Sequence, residues 1–258
     1  MSMCNQEILG MLESPDRSRK LRALIQLRQD LIRRIMDEQN PDKTKDLITV
    51  AHEFKELVKL DVNELTLRYL SKKYPDFEHS LEDGDIHAIL KSYKGRTLPN
   101  FPPGLKDLSI WDCENLEALP EFPPGLESLS LYNCRNLESV PEFPPGFERL
   151  AIFHCDKIET LPEFPSSLKE LSILICRNLE VLPDFPPGLE SLNIRYCENL
   201  EALPEFPPGL ECLEIDNCPK FKLLPEFPSS LKDLEITDCP NLTQETLDRI
   251  KEFNKKQS

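Results

Sequence analysis

The residues of this 258-residue chain best able to do chemistry are its nine cysteines. Seven of them stand 21 residues apart, at Cys113, Cys134, Cys155, Cys176, Cys197, Cys218 and Cys239, and the other two are Cys4 and Cys212. A thiol can ligate zinc, pair as a disulfide or attack as a nucleophile. Zinc sites draw on closely spaced pairs such as C-x-x-C, and the sequence has none. A disulfide brings two sulfurs to roughly 2 Å with a defined torsion. A column of identically oriented thiols on strands roughly 4.8 Å apart meets that geometry poorly. The phased thiols therefore read as small buried groups, each weakly bonding a carbonyl, in a reducing compartment. Cys4 has no base close to it in sequence, and His52, His79 and His87 fall at no metal-ligand spacing. With no glycine-rich phosphate loop either, the expectation is a protein with no cofactor, no metal and no catalytic constellation.

Regular spacing of the thiols implies a regular element beneath them. Its cleanest copy runs from Leu119 to Ser139, LPEFPPGLESLSLYNCRNLES, and edited copies start at Leu98, Leu119, Val140, Leu161, Leu182, Leu203 and Leu224. A phenylalanine keeps the same phase at Phe101, Phe122, Phe143, Phe164, Phe185, Phe206 and Phe227. A fixed period of this length predicts a solenoid, in which each unit buries its apolar edge against the next. The strand is the x-L-x-I-x stretch, kept short by prolines. The L-P-x-F-P-P-G stretch cannot form an α-helix, so the return side is expected to be extended or polyproline-like. Serine replaces its glycine at Ser167 and Ser230, so glycine is convenient there rather than obligatory.

The core pattern L-x-x-L-x-[IL]-x-x-C-x-x-[LIF], as in Leu126, Leu129, Leu131, Cys134 and Leu137, resembles the leucine-rich repeat. The L-P-x-F-P-P-G prefix is similar to the LPX-type repeats of effectors that bacteria deliver into host cells. The C-x-x-L ending is similar to repeats of plant immune receptors. This resemblance implies an α/β leucine-rich-repeat solenoid of seven repeats over residues 97–242, with a parallel concave sheet and an extended convex side. It also implies that the variable strand positions face the concave surface. One such column reads Trp111, Tyr132, Phe153, Leu174, Arg195, Asp216, Thr237, and the next reads Asp112, Asn133, His154, Ile175, Tyr196, Asn217, Asp238. The candidate protein-binding residues are Trp111, Tyr132, Phe153, His154, Leu174, Ile175, Arg195 and Tyr196, because exposed contiguous apolar surface marks binding sites and Trp, Tyr and Arg are favoured anchors. A competing reading has a helix of the chain's own N-terminal domain covering this stripe.

Residues 1–96 carry no repeat and read as an α-helical domain and cap. Leu21, Leu24, Ile25, Leu27, Leu31, Ile32 and Ile35 follow helical spacing, and further helices are expected to contain Leu47 to Leu57 and Leu65 to Leu70. A last short helix is expected over 85–94, with Ile86, Ile89 and Leu90 inward and Gly95 as its terminal glycine. Residues 243–258 read as a C-terminal capping helix in which Leu247, Ile250 and Phe253 close the last rung.

Charge is lopsided. Residues 1–96 hold 17 acidic and 17 basic side chains, so residues 97–258 carry the whole net charge of −15. A negative surface disfavours nucleic acid and anionic membranes and favours a protein partner with a basic surface. No apolar run long enough to span a membrane occurs, and the first 25 residues lack the apolar core of a Sec signal.

The sequence thus reads as a non-enzymatic interaction module, monomeric alone. The resemblance implies an effector in the reducing cytoplasm of a host cell, secreted without a Sec signal and acting in virulence. Some LPX-type effectors are ubiquitin ligases with a large catalytic domain after the repeats, which the short stretch after the last repeat here leads one not to expect. The second reading is a ubiquitin-ligase substrate adaptor whose N-terminal helices recruit the ligase.

Overall fold

The computed structural model describes residues 77–82, 85–98, 100–101 and 104–257. The helices expected before residue 77 lie outside them. Among the described residues, nine strands form one sheet in strict chain order. They are β1 (Phe77–Glu82), β2 (Asp85–Lys91), β3 (Leu105–Trp111), β4 (Ser128–Tyr132), β5 (Arg149–Phe153), β6 (Glu170–Leu174), β7 (Ser191–Arg195), β8 (Cys212–Asp216) and β9 (Asp233–Thr237). From β2 onward every pairing is parallel, and from β3 onward the register advances by one repeat, Leu108 facing Leu129 and Ile110 facing Leu131. This is the solenoid that the period implies, and its parallel rungs of 21 residues fit a leucine-rich repeat.

Alternation explains each rung. In β4 the inward Leu129 and Leu131 are buried while Ser128, Ser130 and Tyr132 are half-buried, and β5 to β8 repeat that division. Burying a large aliphatic side chain contributes roughly 1.5–3 kcal/mol, a gain realised only when neighbouring rungs stack. Each strand ends at a residue in the left-handed region: Asp112, Asn133, His154, Ile175, Tyr196, Asn217 and Asp238 have φ from 47° to 56°. That turn lets the residue add one more bond to the ladder, as where Asn133 N–H donates to the Phe153 carbonyl at 2.8 Å.

The return legs contain turns but no helix or strand, as the prolines dictate. Their phenylalanines form a second ladder, Phe101 through Phe227, with ring centroids 6.2–6.4 Å apart along it and near-parallel planes. The glycines beside it behave as the sequence suggests. Among the glycines of the described residues only Gly146 has a left-handed φ, of 91°. Where serine takes the position, its hydroxyl donates to the preceding rung, Ser167 to the Phe147 carbonyl at 2.8 Å and Ser230 to Leu210 at 2.6 Å.

Two expectations about the ends are corrected. Residues 85–91 are not a helix but a strand, paired antiparallel with β1 and parallel with β3. The apolar spacing fits a helix, yet Ala88 and Leu90, two apart, are the residues that reach the core. Residues 88–93 are in fact a degenerate rung: Ala88 and Leu90 pair with Leu108 and Ile110, Ser92 repeats the left-handed turn with φ 54°, and its N–H donates to the Trp111 carbonyl at 2.9 Å. The offset here is 20 rather than 21 from His87 to Lys91, after a register shift between Ile86 and His87.

At the other end, helix α1 (Gln244–Gln257) begins after Thr243, whose hydroxyl accepts from the Thr246 N–H at 3.4 Å. Phe253 meets Phe227 edge-on at 6.2 Å, and Arg249 lies 4.9 Å over the Phe227 ring while donating to the Leu224 carbonyl at 2.9 Å. Leu247, expected to close the last rung, remains exposed, and Leu234 and Ile236 of β9 are only half-buried. The helix seals the phenylalanine side of the last rung more than its strand.

Candidate interaction face of the sheet

The outward residues of the strands form the candidate site. Parallel in-register pairing sets Trp111 against Tyr132, Tyr132 against Phe153, Phe153 against Leu174 and Leu174 against Arg195. The Trp111 and Tyr132 rings are 5.1 Å apart and those of Tyr132 and Phe153 5.9 Å, so the aromatic column is one continuous ridge. Trp111 is 39% exposed, and Lys91 of the degenerate rung places its ammonium 5.7 Å from the Trp111 ring centroid. The neighbouring column runs Ser109, Ser130, Ala151 and Ser172, so small side chains leave the ridge standing above its surroundings.

Beyond the ridge the face changes character. Arg195 forms an ion pair with Glu214 and donates to Asn193 Oδ1 at 3.2 Å, while Asn193 Nδ2 donates to Glu214 Oε2 at 2.6 Å. The charge of Arg195 is thereby neutralised within the face. The last two rungs carry Glu214, Asp216, Asp233, Glu235 and Asp238. Asp216 accepts from the Thr237 hydroxyl at 2.7 Å, and Cys212 Sγ lies 3.6 Å from Asp233 Oδ2. No basic side chain among the described residues makes an ion pair with Asp216, Asp233, Glu235 or Asp238.

His154, Ile175 and Tyr196 do not extend the strands; they occupy the left-handed turns. His154 sets its Nε2 3.3 Å from Asp156 Oδ2 and its ring edge-on to Phe153 at 6.3 Å. Ile175 is half-buried and Tyr196 is 44% exposed. Asp, Asn and His are the non-glycine residues that tolerate such φ values, whereas a β-branched or bulky residue there is a genuine outlier. The backbone thus accounts for five of the seven side chains in this column, and Ile175 and Tyr196 are the exceptions. Sequence reasoning overlooked this conformational demand, although the recurrence of Asp and Asn after each strand was its signal. It also overlooked Lys91, because the degenerate rung lacks the cysteine. A third omission is Asn115, Asn136 and Asn241, whose amides donate to the preceding rung at Lys94, Glu114 and Pro219 (3.2, 2.6 and 2.7 Å).

The phased cysteines are on the opposite side, buried from Cys113 to Cys218 and half-buried at Cys239, whereas Cys212 is half-buried on the sheet face. All eight among the described residues are free thiols. Most Sγ atoms donate weakly to the carbonyl two residues back, from 3.3 Å for Cys113 to 3.7 Å for Cys155, as the sequence leads one to expect. Burial pushes the Cys176 thiol up to about 12 from an ordinary 9.0, and Cys239 up to about 11. Such thiols are poor nucleophiles at neutral pH. Among the described residues no group of three His, Cys, Asp or Glu could hold a metal ion. No helix among them is long and apolar enough to cross a membrane.

No protein-family profile matches the chain, nor does any curated protein. Among solved structures it is similar to YopM from Yersinia enterocolitica WA-314, at 25% identity over 59% of this chain and with a TM-score of 0.33. The chain spans 44% of that protein's length. It is also similar to the leucine-rich repeat domain of the type III effector XCV3220 (XopL), at 17% identity over 83% of this chain and 96% of that one, with a TM-score of 0.37. The assignment of the fold rests on the rung geometry itself.

Proposed function

We propose that this leucine-rich-repeat solenoid is a non-enzymatic protein-interaction module that engages a partner protein through the open face of its sheet. The observation that carries the reading is the continuous ridge of Trp111, Tyr132, Phe153 and Leu174. Its side chains are exposed or half-buried, while every other large apolar column in the repeats is packed inside. Exposed contiguous apolar surface beside small residues is the signature of a partner site. The scaffold does not require aromatics there, because Arg195, Asp216 and Thr237 fill the same position in later rungs. His154, Ile175, Arg195 and Tyr196 border the ridge and complete the site.

The L-P-x-F-P-P-G prefix supports a bacterial effector that acts on a host protein in the reducing host cytoplasm, where a ladder of free thiols is stable. In this reading the protein is monomeric until it meets its partner.

The test is capture by the immobilised full chain from eukaryotic lysate, followed by titration of the identified partner as a purified protein. Trp111→Ala and Phe153→Ala should each weaken binding by roughly 30- to 1000-fold, the range of true interface anchors. Their melting temperatures should stay close to the parent's. Unchanged affinity with a large drop in melting temperature would show that the ridge packs against the chain itself. Ligase subunits held by residues 1–96 would favour a substrate adaptor instead.

A further inference from the structure

The face is divided along its length, and that division specifies what fits it. We infer that the open face takes a single partner segment laid across the strands, apolar at one end and rich in lysine or arginine at the other. The inference rests on the reading of this face as a partner site and goes on to name the partner's chemistry. From the Trp111 rung to the Leu174 rung, three steps of roughly 4.8 Å, the ridge offers apolar contact over ~14 Å. Arg195 follows, already neutralised by Glu214. Beyond it Asp216, Glu235 and Asp238 make no ion pair among the described residues, and six steps, ~29 Å, separate the first rung from the last. Carboxylates left uncompensated on an otherwise cross-linked surface attract and orient a basic group. Elsewhere on the repeats, lysines and arginines do reach acids one rung away, as Lys169 reaches Glu148 at 2.8 Å and Arg177 reaches Glu198 at 3.1 Å.

Ile175 and Tyr196 mark the junction between the two halves. Both hold a left-handed backbone that five other rungs give to Asp, Asn or His. Residues kept in a costly conformation are expected where function demands the side chain. Here the demand is for apolar contact reaching the point where the acidic half begins.

Other occupants fit less well. A second copy laid antiparallel would set its carboxylates on the aromatic ridge, and one laid parallel would oppose carboxylate to carboxylate. Residues 17–35 of this chain are both apolar and basic, but their cations run along the whole stretch, from Arg17, Arg19, Lys20 and Arg22 through Arg28 to Arg33 and Arg34. Either orientation would put one charged end on the apolar half.

The test is selection of a displayed random library of peptides of about 20 residues, long enough to span ~30 Å even as a helix, on the immobilised full chain. Selected peptides should carry an aromatic or aliphatic block separated from a lysine or arginine block. Their affinity should fall at least about tenfold, one decade of binding constant, with Trp111→Ala. It should fall comparably with Glu235→Lys combined with Asp238→Lys, and less with Glu235→Gln. Ile175→Asn and Tyr196→Asn should lower affinity while raising the melting temperature, a split that a purely structural role would not produce. Peptides that need Trp111 but ignore the charge reversal would overturn this inference and leave the partner site standing. Peptides indifferent to both changes, or no enrichment at all, would overturn both. A benzophenone side chain at Tyr132 that crosslinks into residues 1–76 or a second copy would also overturn both, by naming a different occupant.

Discussion

The molecule carries two aromatic columns of the same period, and they have opposite characters. The phenylalanine ladder of the return legs repeats one residue type in seven rungs, its rings stacked and mostly buried. The ridge on the sheet face changes from Trp to Tyr, Phe, Leu, Arg, Asp and Thr over the same seven rungs. Identity of type accompanies burial because each buried position sees the same surroundings in every rung. Diversity accompanies exposure because nothing in the stack dictates the residue. The cysteine ladder belongs with the first kind, and the left-handed column mixes the two.

The largest expected effect breaks the buried side through its thiols. Burial raises the folded-state values of Cys176 and Cys239 to about 12 and about 11, so the native state holds protons that the unfolded chain releases above ~8.5. The contribution is therefore complete below pH ~8.5 and declines as pH rises toward the folded values. The slope approaches ~1.4 kcal/mol per pH unit for the buried Cys176 thiol and is smaller for the half-buried Cys239. The melting temperature should be level from pH 6 to 8 and fall steeply between 9 and 11, less steeply in Cys176→Ala.

A pair of substitutions compares the two columns directly. Phe164→Ala, between Phe143 and Phe185 at 6.3 and 6.4 Å, should cost ~3–5 kcal/mol of stability. Phe153→Ala on the ridge should cost less than ~1 kcal/mol in the same denaturant titration. Equal losses would erase the distinction between scaffold and ridge.

The smallest effect has the opposite sign. Ile175→Asn should raise stability by ~0.5–1 kcal/mol, because asparagine accepts the left-handed turn that a β-branched residue resists. Asp112→Ile should lower it by a similar amount. Circular dichroism melts of the two variants against the parent would show both shifts.

These same columns explain what could be read from the sequence. Leu129, Leu131, Cys134 and Phe122 recur without insertion, so the phase of the rungs and their inward faces follow from counting. The turn at Asn133 was hidden because its position also varies, and variability alone resembles a free surface. Lys91 and Ser92 were hidden because their rung is one residue short and has Tyr93 where the others have cysteine. Ile86, Ile89 and Leu90 then fit helical spacing as well as they fit a strand. The pairing of Arg195 with Glu214 joins residues in successive rungs and is visible once the register is known, but a one-dimensional reading of columns separates them.

The uniform register has a last consequence. Since each rung touches only its neighbours, the solenoid works as a ruler whose graduation is one repeat. Inserting one further copy of residues 161–181 after Thr160 would lengthen the molecule by ~4.8 Å without altering the rungs on either side. It would move the carboxylates one graduation away from the indole while leaving both chemically unchanged. Distance between two features of a surface is ordinarily inseparable from the fold that sets it; here it can be dialled by whole repeats, and a partner that measures that distance would have to lengthen in step.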